Sequence, residues 1–261
     1  MSKVVVISGA TSGIGRATAD QFAKKGFKVY CLARKKPENY PYEFFACDLT
    51  KIDELETAVQ SILAVEPQID ILICNAGMGI SGVLETCELS SAKYLFDVNF
   101  FSSFALAKAF LPTMRSQKNG KIIFISSVGS IFPLPYQAFY SASKSALETL
   151  AQAWSIEVKP FGVQIGCILP GDTKTSFTKN REKSTSDANY NGRDNKSVER
   201  MEKDEQNGMS AEYVAKKIYK FSQKKKLPIK KIVGFKYKVF ATLCKILPTR
   251  FVMFMLRKMY G

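Results

Sequence analysis

Tyr140 and Lys144 lie four residues apart in Tyr140-Ser-Ala-Ser-Lys144, a spacing that stacks two side chains on one face of a helix. A lysine ammonium beside a phenol favours the phenolate and lowers a tyrosine pKa from its usual value of about 10. Such a pair can exchange a proton with an oxygen that passes between carbonyl and alcohol. The spacing alone also describes a solvated surface pair, so its meaning depends on the elements around it. The chain contains no histidine, which removes Ser-His-Asp and Cys-His catalysis and most zinc sites. Cys31, Cys47, Cys74, Cys87, Cys167 and Cys244 are scattered without metal-ligand spacing. Buried thiols of a reduced, cytoplasmic protein are expected, and no metal.

The elements that must position the pair alternate along the chain. Residues 3–8 form a β-branched run, followed by Gly9-Ala-Thr11-Ser12-Gly13-Ile14-Gly15 and a helical pattern to about residue 25. A strand, a glycine-rich turn and a helix N-terminus make a phosphate cradle, with free N–H groups and the positive end of the helix dipole. The second strand, residues 27–33, is followed by Arg34, Lys35 and Lys36, and no carboxylate occurs between Asp20 and Glu38. A ribose 2′-hydroxyl is usually held by an acid at this point. Arg34, Lys35 and Arg16 instead suit a 2′-phosphate, hence NADP(H), although a solvated basic loop has the same composition.

Further strands are predicted at 42–47, ending on Asp48 and Leu49, and at 69–74, ending on Asn75-Ala76-Gly77. Others span 120–125, ending on Ser126-Ser127, and 162–169, ending on Pro170-Gly171. Helices are predicted at 51–65, 91–115 and 139–159. Asn99 interrupts the second of these, where asparagine is a poor interior residue; it bonds another element or distorts the helix locally. Alternating strands and helices give an α/β chain, a single-domain Rossmann fold with a doubly wound parallel sheet flanked by helices.

In that order, Gly9-x-x-x-Gly13-x-Gly15, Asn75-Ala-Gly77, Asn99, Ser127, Tyr140-x-x-x-Lys144 and Pro170-Gly171 resemble the motifs of the short-chain dehydrogenase/reductases. The resemblance covers roughly residues 3–177. It implies that Tyr140 is the general acid/base and that Lys144 binds the nicotinamide ribose and depresses the Tyr140 pKa. It implies that Ser127 binds the substrate oxygen and that Asn99 holds a relay water. Asp48 would touch the adenine, and Asn75 and Gly77 would line the cofactor. Thr175 would bond the carboxamide, with Thr173 its rival.

Residues 178–209 are polar and charged, so a mobile excursion over the site is expected, either a substrate lid or a surface loop. Phe132, Leu134, Tyr136 and Phe177 are candidates for an apolar substrate wall. Residues 213–261 hold 12 Lys, 2 Arg and no acid, which is +14 of the net +15. The organisation expected is a catalytic domain over 1–234 and a basic amphipathic helical extension over 235–261. Aromatics and aliphatics alternate there with cations, which fits an interfacial helix pair on an anionic membrane. A cap over an apolar pocket is the rival, and no nucleic-acid motif accompanies the charge. No signal peptide or membrane span is evident, so a cytoplasmic protein at a membrane surface is expected.

The extension resembles the branch of the family with 17β-hydroxysteroid dehydrogenases, retinol dehydrogenases and acyl-dihydroxyacetone-phosphate reductases. That likeness implies an NADP(H)-dependent oxidoreductase interconverting a secondary alcohol and a ketone on an apolar substrate, foremost a hydroxysteroid. A lipid or acyl-thioester ketone is the alternative substrate, and a non-catalytic, membrane-docked NADPH-binding regulator the alternative role. The family expectation is a homodimer through the helices at 91–115 and 139–159.

Overall fold

The strands Val4–Ser8 (β1), Lys28–Ala33 (β2), Glu43–Ala46 (β3) and Ile71–Cys74 (β4) join Gly120–Ile125 (β5), Val163–Pro170 (β6) and Lys230–Val233 (β7) in one seven-stranded sheet. The computed structural model describes residues 2–261. All pairs are parallel, in the order β7-β6-β5-β4-β1-β2-β3, with Val6 opposite Tyr30 on one side and Leu72 on the other. The order reverses between β1 and β4, which opens a crevice at the carboxyl ends of those strands. A strand covered on both faces has no polar side, which is why β1 and β4 read as continuous apolar runs.

Helices α1 (Gly13–Ala23), α2 (Ile52–Val65), α3 (Leu89–Phe96), α4 (Ser102–Ser116) and α5 (Ala138–Val158) precede α6 (Arg193–Gln206), α7 (Ala211–Ser222), α8 (Phe235–Ile246) and α9 (Thr249–Tyr260). One face of the sheet is sealed by Ala19 and Phe22 of α1 with Ile218 and Phe221 of α7. The other carries Leu55 and Ile62 of α2, Leu106 and Phe110 of α4, and Leu147 and Ala151 of α5. Asp97–Phe101, between α3 and α4, is a π-helical turn with Asn99 at its centre. The local distortion expected at Asn99 is therefore present, in a form that recurs at functional sites.

One expectation is corrected. Residues 178–209 are no structureless excursion, because α6 occupies nearly half of them. Asp194, Ser197, Val198 and Met201 form its buried stripe, and their i, i+3, i+4, i+7 spacing makes one helix face despite the polar composition. Two-residue ladders pin the segment at both ends, Ile80–Ser81 on Glu182–Lys183 and Thr173–Lys174 on Met209–Ser210. The extension over 235–261 is helical, as expected, and packs on the rest of the fold through Tyr237, Ala241, Val252 and Leu256. The Phe240 ring packs edge-on against Phe132 at 4.8 Å. Among the described residues no helix is long and apolar enough to cross a membrane.

Candidate active site

The turn after β1 is laced to the end of β4. Asn75 Nδ2 donates to the carbonyls of Ser8 and Gly9, both at 3.1 Å, while Ser8 Oγ accepts the N–H groups of Asn75 and Ala76. Gly9 and Gly13 have φ of +64° and +51°, the left-handed region that glycine enters freely. At Gly15 a Cβ would stand 2.5 Å from Asn75 Nδ2 and collide with the Gly9 carbonyl. Ser12 caps α1 without spending its hydroxyl on the helix, so the first N–H groups stay available to an anion. These features fit a dinucleotide pyrophosphate.

A cavity of about 820 Å³ opens from this turn along the carboxyl edge of the sheet. Gly9, Thr11, Ser12, Gly13, Ile14 and Gly15 form its floor, and Arg34, Lys35, Asp48 and Leu49 its outer end. Asn75, Ala76 and Gly77 line one side, and Pro170, Gly171, Thr173 and Thr175 the other. Burial acts to raise the Asp48 carboxyl, but hydrogen bonds from Thr50 and the nearby Arg34 hold it below its ordinary value. Arg16 does not join the wall. Its Nε pairs with Asp20 at 3.0 Å, and its guanidinium lies over the Tyr40 and Tyr42 rings. An acid one helical turn away and two aromatic faces outcompete the cavity for it, which corrects the expected second clamp.

The inner end gathers Ser127, Tyr140 and Lys144. Ser127 lies two residues past β5, where its Oγ accepts the Gly129 N–H at 3.1 Å and caps the short turn Val128–Ser130. Lys144 Nζ lies 5.9 Å from the Tyr140 ring centroid and donates to the Ile125 carbonyl at 3.0 Å. Burial pushes the Lys144 amine from 10.5 down to about 8. Burial likewise raises the Tyr140 phenol, against a hydrogen bond with Ser127 that lowers it. The expected depression of the phenol by Lys144 is thus absent from this geometry. The amine is itself desolvated and turned to a carbonyl, and Tyr140 is held as the protonated acid.

Asn99 stands behind this group, outside the cavity wall and fully buried. Its Oδ1 accepts the Met78 N–H at 2.8 Å, and its Nδ2 donates to Met78 O and Ser143 Oγ. Through these bonds the side chain fastens the loop after β4. Of the expected substrate wall, Leu134 and Phe177 line the cavity while Phe132 and Tyr136 do not. Phe132 is taken by Phe240, and the Tyr136 ring packs on Tyr190.

Several residues at this end escaped the sequence reading. Met78, Gln137, Asp172, Asn180 and Glu205 all line the cavity. Glu205 lies on α6 and accepts from Thr178 Oγ1 at 2.6 Å and from the Arg181 guanidinium. Glu148 on α5 accepts from Ser126 and Ser130 and faces Lys230 at 3.5 Å, bracing the end of β5 against the catalytic helix. None of these carries a motif. The only available signal was the buried stripe of α6, which predicts a lid helix without naming its partner.

Residues 3–186 match the family model described as short chain dehydrogenase. A 3-ketodihydrosphingosine reductase from Bacteroides thetaiotaomicron is 36% identical over 264 residues, covering 99% of this chain and 98% of that protein. Estradiol 17-beta-dehydrogenase 1 from Rattus norvegicus is 35% identical over 196 residues, 69% of this chain and 57% of that protein. A solved short-chain dehydrogenase from Streptomyces avermitilis superposes with a TM-score of 0.85 at 27% identity, covering 92% and 91% of the two chains. With Ser127, Tyr140 and Lys144 gathered at one end of a dinucleotide-shaped crevice, the chain belongs to the short-chain dehydrogenase/reductase family and is an oxidoreductase acting on CH–OH groups.

Proposed function

We propose that this protein is an NADP(H)-dependent reductase of a ketone carried on a long-chain lipid. The observation that carries the reading is the cavity itself. Its outer end is basic and its inner end sets Ser127 and the protonated Tyr140 beside the apolar Met78, Leu134 and Phe177. The similarity to the 3-ketodihydrosphingosine reductase spans the basic extension as well as the sheet, which favours a lipid over the hydroxysteroid expected first. The steroid reading stays second, on the estradiol dehydrogenase likeness.

Arg34 and Lys35, in a stretch with no carboxylate between Asp20 and Glu38, support NADP(H) over NAD(H). The cofactor, when bound, supplies the hydride to the carbonyl carbon. The Ser127 and Tyr140 hydroxyls hydrogen-bond the carbonyl oxygen and stabilise the charge that develops on it. Tyr140 then gives that oxygen its proton, a step worth about 10²–10⁴ in rate. At neutral pH the Tyr140 phenol is protonated, the form that must donate when a ketone is reduced. Lys144 would position the ribose.

Phe235 at 82%, Ile246 at 75% and Phe254 at 54% exposure stand among Lys238, Lys245 and Arg257 on α8 and α9. That face supports peripheral docking on an anionic bilayer from the cytoplasm. Phe101 and Ile156, exposed beside α4 and on α5, support a homodimer through those helices. The test is NADPH oxidation over a panel of long-chain 3-ketones, 17-ketosteroids and acetoacetyl thioesters. Turnover of the long-chain ketones is expected, and turnover of none of them would overturn the reading.

A further inference from the structure

Arg181 and Glu205 form an ion pair whose two members are not equivalent. The Arg181 side chain is fully buried, its Nε and Nη1 have no partner, and it is absent from the cavity wall. The Glu205 side chain keeps 16% of its surface and lines the cavity. A buried pair with orphaned N–H groups is a poor stability device, since desolvation offsets its attraction. It is a good way to fix a carboxylate in one place. Arg181 packs on Phe177, whose ring lies 5.6 Å from that of Tyr140, so the carboxylate is held next to the reacting end.

Two further contacts set the turn of α6 that carries Glu205. Tyr260 of α9 donates to Asp204 Oδ2 at 3.1 Å, and Arg200 lies over the Tyr260 ring. The other acid at this end, Asp172, is occupied by the Tyr237 hydroxyl and by Lys236 at 3.5 Å. Each Glu205 oxygen accepts one hydrogen bond, from Arg181 and from Thr178, which leaves lone pairs free on a side chain that still reaches the cavity. In a chain of net charge +15, the substrate end of the cavity thus shows a carboxylate and no exposed cation of its own lid.

We infer that Glu205, positioned by Arg181 and Thr178, accepts a protonated amine carried next to the ketone of the substrate. This rests on the lipid-ketone reading and narrows it to long-chain amino ketones. A carboxylate at this point repels a phosphate or carboxylate headgroup and attracts an ammonium. Charge-assisted bonds of this type are strong and directional.

The test uses the full-length protein with NADPH and three ketones of one chain length: a 2-amino-3-ketone, its N-acetyl derivative and the 3-ketone without nitrogen. Wild type is expected to favour the free amine over both others by at least tenfold in kcat/KM. In Glu205→Gln that ratio falls toward one, whatever the absolute rates. Equal kcat/KM for the amine and its N-acetyl derivative in wild type overturns the inference, as does a Gln variant that keeps the ratio. The wild-type comparison decides alone if the variant fails to fold. Reduction of all three ketones without preference sinks this inference only, whereas reduction of none sinks the lipid-ketone reading with it.

Discussion

Lys144, proposed above to serve the chemistry, is held against its own charge, and substitution by methionine separates the two. Burial pushes its amine from 10.5 down to about 8. Below pH 8 the amine is charged in both the folded and unfolded chains, and the folded state bears the full penalty, about 3 kcal/mol from the displaced pKa. Between pH 8 and 10.5 only the unfolded chain is charged, and the penalty shrinks to nothing as pH rises. Methionine of similar length carries no such penalty at any pH. It does lose the bond to the Ile125 carbonyl, a cost of about 1–3 kcal/mol that the neutral amine avoids equally at high pH. The stability of Lys144→Met relative to wild type should therefore fall by roughly 2–3 kcal/mol from pH 7 to pH 10. Urea unfolding of both proteins at the two pH values measures it, and turnover of the variant should be lost throughout. A pH-independent difference, or one of opposite sign, would refute the burial argument.

Arg34→Ala should weaken NADPH binding at least tenfold and leave NADH nearly unchanged, as titration of cofactor fluorescence can read; equal losses would remove Arg34 from the 2′-phosphate. Replacing Phe235, Ile246 and Phe254 together with aspartate should abolish sedimentation with anionic vesicles while the protein stays folded, because these side chains face outward. Vesicle binding that survives the triple change would place the membrane contact elsewhere. Glu148→Ala should destabilise the protein by about 3 kcal/mol, because Lys230 and two serine hydroxyls lose a common acceptor in a buried setting. A change below about 0.5 kcal/mol in thermal unfolding would show that the brace is not needed.

Local signals carried most of the sheet and the catalytic centre. Gly9 to Gly15, the strand-end Asn75 and Ser127, and the Tyr140/Lys144 spacing each report backbone or helix geometry within a few residues, so the sequence order suffices to place them. What needed the structure was competition between distant groups. Arg16 looks free beside Gly15 until the chain after β2 brings Tyr40 and Tyr42 over it. Phe132 looks like a substrate wall until α8, more than a hundred residues later, delivers Phe240. Arg181 and Glu205 sit in a stretch whose polarity suggested no fold, and their pairing across 24 residues leaves no periodic trace. Desolvation is invisible for the same reason. A Tyr–Lys pair implies a lowered phenol pKa in water, whereas enclosure by β5, α5 and the lid raises it.

Tyr140 is proposed to protonate a ketone oxygen at the inner end of an NADPH crevice. Tyr140→Phe removes one hydroxyl and leaves the glycine turn, Arg34 and Lys144 in place. NADPH affinity and NADPH oxidation with a long-chain ketone, measured side by side for this variant and wild type, test that proton transfer. Unchanged affinity with turnover reduced by about 10²-fold or more is predicted, and turnover within a few-fold of wild type would contradict it.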